Sequence, residues 1–184
     1  MRMILALSVL SAACICHVAE SADIRSGLAV NAYPKAYMVT DVTGPAAGSG
    51  SLCYRCRYGS QPVVNIFARK MDENVVRLIK QIDDVVGKNR DNKMAAFVVL
   101  LSDEPEAQRD TLRAVAKENK LAHTPLTLYT NAQGPSSYRL SEDAEVTVMM
   151  WVNEEVRVNH ALKSSDLNED KIASIAKDTD RILN

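Results

Sequence analysis

Cys53-Tyr-Arg-Cys56 is the stretch with the clearest chemistry, and Arg55 and Arg57 place a positive charge beside both sulfurs. The thiolate is the nucleophile of thiol–disulfide exchange, and neighbouring cations favour it over the thiol. Three chemistries fit the spacing. The pair can exchange with partner proteins or small thiols. It can be a structural disulfide, although so short a loop removes little chain entropy, roughly 2 kcal/mol against roughly 3 for a fifteen-residue loop. It can contribute to a zinc site, which wants about four ligands. The further ligands on offer are His123 and His160, both distant in sequence.

Other residues carry a functional and a plainer reading. Lys70, Asp72 and Glu73 at a helix start could bind an anion or do acid–base work; the plainer reading is a helix cap with solvated charges. His123, two residues before Pro125, could be a general base or a contact residue, or simply a loop residue. His160 alternates along a strand near Arg157 and Asn159 and reads as a surface residue, while Trp151 reads as packing. There is no Ser-His-Asp order, phosphate loop or nucleotide fingerprint, and no cofactor is expected.

The chain has 184 residues, with 22 Lys and Arg against 23 Asp and Glu. That balance gives no basic surface for nucleic acid, and aromatics at 5% offer few stacking platforms. Met1-Arg-Met3 followed by an uncharged apolar run from Ile4 to Ile15 has the form of a signal peptide. Ala19-Glu-Ser21 supplies the small residues for cleavage before Ala22, so 1–21 is the expected leader and the protein is expected to be secreted or periplasmic. The run is shorter than the roughly 20 residues of a spanning helix. Ser11-Ala-Ala-Cys14 has the form of a loose lipoprotein box, and lipid on Cys14 would be the route to a membrane. Cys14-Ile-Cys16-His17 is one residue short of a haem-attachment motif. After processing only Cys53 and Cys56 remain, and an oxidising compartment favours their disulfide.

The elements that position these residues follow from periodicity. Residues 22–35 read as an arm and 36–184 as one domain. Ala36 to Thr43 alternates as a strand, and Gly44 to Ser51 is a turn-rich connection. Pro62 to Arg69 is a buried strand, and the unbroken apolar run Ala95 to Leu101 is a second, covered on both faces. Between them Asp72 caps a helix whose inner face is Val75, Leu78, Ile79, Ile82, Val85 and Val86, with Gly87 as its stop. A helix beginning near Pro105 presents Leu112, Val115, Ala116 and Leu121. Leu126 to Thr130 is a strand, and Asn131 to Ser141 a polar loop. Glu145 to Val152 and Val156 to Ala161 form a hairpin around Asn153-Glu-Glu, and Asn168 caps a last helix through Ile172, Ile175, Ala176, Ile182 and Leu183. Two strand–helix–strand crossovers require parallel pairing, and the hairpin adds antiparallel edges.

This order resembles the thioredoxin-like superfamily, thioredoxin and peroxiredoxin branches alike. Pro62-Val-Val-Asn-Ile-Phe-Ala-Arg69 resembles the strand that leads to the family's active site. Thr124-Pro125 before Leu126-Thr-Leu-Tyr129 resembles the cis-proline and its strand, and Tyr37 to Gly44 the lead-in strand of the peroxiredoxin branch. The resemblance implies an α/β three-layer sandwich, a central mixed sheet with helices on both faces. It also implies a substrate-contact surface at His123, Thr124 and Pro125, and a dithiol with Cys53 attacking and Cys56 resolving. One departure is specific. Where the family places its cysteine this chain has Arg69-Lys-Met-Asp-Glu-Asn74, and its dithiol precedes the strand. Across six residues at about 3.3 Å each, the pair belongs near the opposite pole of the sheet unless 49–60 folds back. Two functions follow: thiol–disulfide exchange with protein or small-thiol partners, or a non-catalytic binding or scaffold module with Cys53–Cys56 as a local tie.

Overall fold

The structure, a computed structural model, describes residues 24–183; the expected leader with Cys14 and Cys16 lies outside them. The chain runs β1 (Val39–Asp41), β2 (Ser51–Leu52), α1 (Tyr54–Tyr58), β3 (Val63–Ala68), α2 (Glu73–Lys88), β4 (Ala95–Leu101), α3 (Pro105–Glu118), β5 (Leu126–Tyr129), β6 (Val146–Val152), β7 (Glu155–Leu162), α4 (Glu169–Lys177) and α5 (Asp180–Leu183). Short 3-10 turns lie at Ser136–Tyr138 and Ser164–Asp166. The strands form one mixed sheet in the order β2-β1-β5-β4-β3-β6-β7. β3, β4 and β5 are parallel, β6 runs antiparallel to β3, and β1 runs antiparallel to β5.

β3 is buried at all six positions because both its faces are covered. Val64, Ile66 and Ala68 meet the helical layer, where α2 supplies Val75, Leu78, Ile79, Ile82 and Val86. Leu112 of α3 and Ile172 and Ile175 of α4 complete that layer. Val63 and Phe67 face the other way, into a cluster rich in aromatic rings that includes Tyr37, Tyr54, Phe97, Tyr138 and Trp151. The long helices thus share one face, while α1, the Ser136–Tyr138 turn and the arm cover the other. The arm is ordered by that packing. Leu28 is buried, and the arm exchanges backbone hydrogen bonds with edge strand β7, Asn31 N–H to Val156 O and Val156 N–H to Ala32 O. This covers part of an edge that would otherwise present free backbone groups.

Local chemistry explains the boundaries. Asp72 accepts from Val75 N–H at 3.1 Å and Asn168 from Lys171 N–H at 2.8 Å, so both expected caps form. The hairpin closes on two residues rather than three. Asn153 and Glu154 both take positive φ (53° and 64°), the type I′ geometry that matches strand twist, and Glu155 already pairs with Val152. The last helix divides after Lys177, where the buried Thr179 hydroxyl bonds back to Ala176 O. Such local bonds compete with helix continuation.

Candidate active site

Cys53 is the N-cap of α1, its sulfur accepting from Cys56 N–H at 3.1 Å, and the two cysteines form a disulfide with Cα atoms 5.2 Å apart. What fixes α1 is its inner face. Tyr54 is 1% exposed, stacks on Phe97 at 5.1 Å between ring centroids, and donates to Asp41 Oδ2 at 2.8 Å. Burial and the Asp41 carboxylate push the Tyr54 phenol well above its usual range. Asp41, itself buried, also accepts from Gly44 N–H at 2.7 Å and Ala46 N–H at 2.8 Å. Gly44 is required by close approach: a Cβ there would lie 2.3 Å from the Tyr54 hydroxyl and 2.7 Å from Pro125 Cβ. Tyr58 packs beside Tyr54, and burial pushes its phenol up to about 12.

With Tyr54 turned inward, Cys56 and Arg57 face solvent while Cys53 is only 9% exposed. The two flanking arginines differ. Arg55 is held by Pro34 O and by Glu154, both at 3.0 Å, and this bond keeps the Glu154 carboxyl below its usual range. The Arg57 guanidinium has no hydrogen bond or ion pair among the described residues. Sequence proximity alone could not separate these two cations.

The disulfide lies at the pole where β3 begins, as its position in the chain implied. Because β5 runs parallel to β3 through β4, its start lies at that same pole. His123, Thr124 and Pro125 therefore come together with Arg57, Tyr58 and Arg90 around a cleft of about 410 Å³. Buried Asp83 shapes its wall by accepting from the N–H groups of Ala122 (3.1 Å) and His123 (2.8 Å). Gly87, expected to stop α2, lies inside its last turn, and Asn89 caps instead. Its missing side chain makes room for the His123 ring, since a Cβ would stand 2.9 Å from a ring carbon.

The cis-proline expectation is corrected: no peptide bond among the described residues is cis, so Thr124–Pro125 is trans. Pro125 opens a parallel strand two places from β3. The strand that runs antiparallel beside β3 is β6, introduced by Ala144 and Glu145 at the other pole. A Thr-Pro pair before an apolar run marks a strand start in general, because proline favours extended geometry in the residue before it.

At that other pole Lys70 reaches Asp72 at 3.3 Å and Glu145 at 3.1 Å. The Ser164 hydroxyl bonds Asp72 at 2.7 Å, and Ser164 N–H donates to Glu145 at 2.8 Å. Donating to the Glu145 carboxylate and then to Asp72 raises the pKa of the Lys70 ammonium. Ser164 N–H and Lys70 hold the Glu145 carboxyl low. For Asp72, burial pushes up, but the bonds from Ser164, Val75 and Lys70 together outweigh it and leave the carboxyl low. Glu73 begins α2 beside this cluster. Arg69 ties the neighbouring loop by donating to the carbonyls of Ala132, Ser141 and Ala144. The corner is a network of mutually satisfied groups with no cysteine in it.

His160 is corrected from surface to half-buried: its Nε2 lies 2.8 Å from Asp178 Oδ2 on the turn after α4. Burial lowers its pKa against the opposing pull of Asp178. His123 and His160 thus occupy different surroundings, and among the described residues no three His, Cys, Asp or Glu side chains gather as metal ligands. Trp151 is fully buried with its ring edge-on to Phe97. Sequence reasoning passed over Asp41, Gly44, Tyr54 and Arg90; the Asp41 and Gly44 pair bracketing a turn was the available signal.

No protein-family model and no curated protein matches the chain. Solved structures do. A proposed protein disulfide isomerase from Bacteroides thetaiotaomicron superposes with a TM-score of 0.65 at 18% identity, covering 87% of this chain and 94% of that one. A proposed thiol:disulfide interchange protein DsbE from Chlorobium tepidum gives 0.58 at 10% identity, covering 81% and 98%. A yeast mitochondrial 1-Cys peroxiredoxin gives 0.62 at 9% identity, covering 83% and 75%. At these identities the likeness is one of fold: the chain has a thioredoxin-like fold, with its disulfide placed upstream of the central strand β3.

Proposed function

We propose that the chain is an exported thiol–disulfide exchange protein whose working pair is Cys53–Cys56 and whose partners are protein or small thiols. The observation that carries this is exposure: Cys56 faces solvent beside an unpaired arginine, whereas a buried disulfide resists exchange. The leader-like start of the sequence supports export. The Lys70 corner offers no cysteine, so among the described residues Cys53–Cys56 is the place for exchange.

The exposures favour roles opposite to those taken from related motifs. An external thiolate attacks Cys56 Sγ, the Cys53–Cys56 bond breaks, and Cys53 leaves as thiolate, its charge met by the Cys56 N–H. A second thiolate attacks the outer sulfur of the mixed disulfide and releases Cys56, so two electrons pass from two thiols to the protein. In reverse, the Cys56 thiolate attacks a client disulfide and Cys53 resolves it. The test is the reduction potential of the pair by thiol trapping in graded glutathione buffers. A value between about −120 and −270 mV is expected of an exchange protein; one below about −300 mV would mark a structural tie and overturn the proposal.

A further inference from the structure

The cleft beside α1 has features the exchange reaction does not explain. Arg57, Arg90 and His123 line it, and its two nearby carboxylates, Asp41 and Asp83, lie buried behind the wall and are held by backbone N–H donors. A second hollow of about 300 Å³ shares Arg57, Tyr58, Arg90 and His123 and adds Lys93, without a carboxylate in its lining. The Arg57 and Arg90 guanidiniums have no hydrogen bond or ion pair among the described residues. Two guanidiniums without partners, with His123 beside them on one hollow, describe a site for an anion.

We propose that this cleft seats the carboxylate of a small anionic thiol, which is the co-substrate of Cys53–Cys56; the assignment rests on the exchange reading above. The planar guanidinium fork matches a carboxylate. The volume suits a short peptide thiol. Arg57 directly follows Cys56 on α1; neither cysteine lines the cleft, so a thiol held there by its carboxylate extends from the cleft's rim toward the exposed Cys56. The seated thiolate attacks Cys56 Sγ and displaces Cys53, and a second molecule completes the reduction as its own disulfide.

Two measurements on the oxidised protein test this. The first is the ratio of reduction rates by glutathione and by uncharged 2-mercaptoethanol at one pH. Arg90→Gln should lower that ratio about tenfold, the loss of one charge-assisted contact. The second is titration with S-methylglutathione, which has the carboxylates but no thiol: it should bind the native protein and lose binding in Arg90→Gln. No binding, with an unchanged rate ratio, overturns the proposal while leaving exchange itself intact. Equal competition by inorganic phosphate, or preference for an acidic peptide over S-methylglutathione, removes the small-thiol assignment. Binding without reduction by either thiol overturns the exchange reading instead, and the co-substrate role with it.

Discussion

Cys56 is exposed and Cys53 buried, because Tyr54 turns the intervening turn of α1 inward. The two single variants should therefore differ. In Cys53→Ser the remaining Cys56 should react with iodoacetamide roughly tenfold faster than Cys53 does in Cys56→Ser, access being one determinant of thiol rates. Equal rates would remove the assignment of roles. His160 gives a separate residue-scale prediction. Its folded pKa is lowered, chiefly by burial, so the unfolded chain takes up the proton first as pH falls. Its contribution is complete above an unfolded value of about 6.5 and is lost as pH falls through the lower folded value. The lowered carboxylates of Asp72, Glu145 and Glu154 act further down, below about 4.5. Urea unfolding should therefore show stability declining between about pH 7 and 5, and His160→Gln should flatten that decline. A native profile flat over this range would show that His160 is not linked to folding.

Helix α1 has five residues, too few to be stable alone. Its position comes from the Tyr54–Asp41 bond and the Gly44 turn, which join it to the end of β1. Tyr54→Phe should leave the buried Asp41 carboxylate short of one donor, cost about 1–3 kcal/mol in urea unfolding, and quicken labelling of reduced Cys53. Unchanged stability would mean that Asp41 is satisfied by its two backbone donors alone. This element also shows where sequence reading stops. β3, β4 and α2 were legible because each carries its own signal, an apolar run or a 3.6-residue stripe with a capping Asp72. α1 lacks a stripe and was absorbed into neighbouring turns. The arm's packing was illegible for a related reason: Leu28 is a single anchor rather than part of a periodic face.

At the scale of the whole molecule the sheet separates two poles that the sequence could only order along the chain. The cleft was not legible because its parts come from distant segments, Gly44, Arg57, Arg90 and His123, that only the parallel pairing of β3, β4 and β5 brings together. The same pairing carried Pro125 away from the corner that its Thr-Pro context suggested. The Lys70 corner stands at the far end of β3, six residues or roughly 20 Å from the cleft pole. Its cap holds α2 to the Ser164 turn, and among the described residues the poles share no hydrogen bond or ion pair. Asp72→Ala should therefore cost about 0.5–2 kcal/mol of stability through the lost cap while leaving glutathione reduction of Cys53–Cys56 unaltered. Combined with Arg90→Gln, its effects on stability and on rate should add, since sites more than about 10 Å apart without shared partners rarely couple. Stopped-flow reduction and urea unfolding of the two single variants and the double variant measure both quantities on the same samples. A slower exchange in Asp72→Ala would mean that the rigid layer of α2, which carries Asp72 at one end and Gly87 against His123 at the other, transmits the state of one pole to the other.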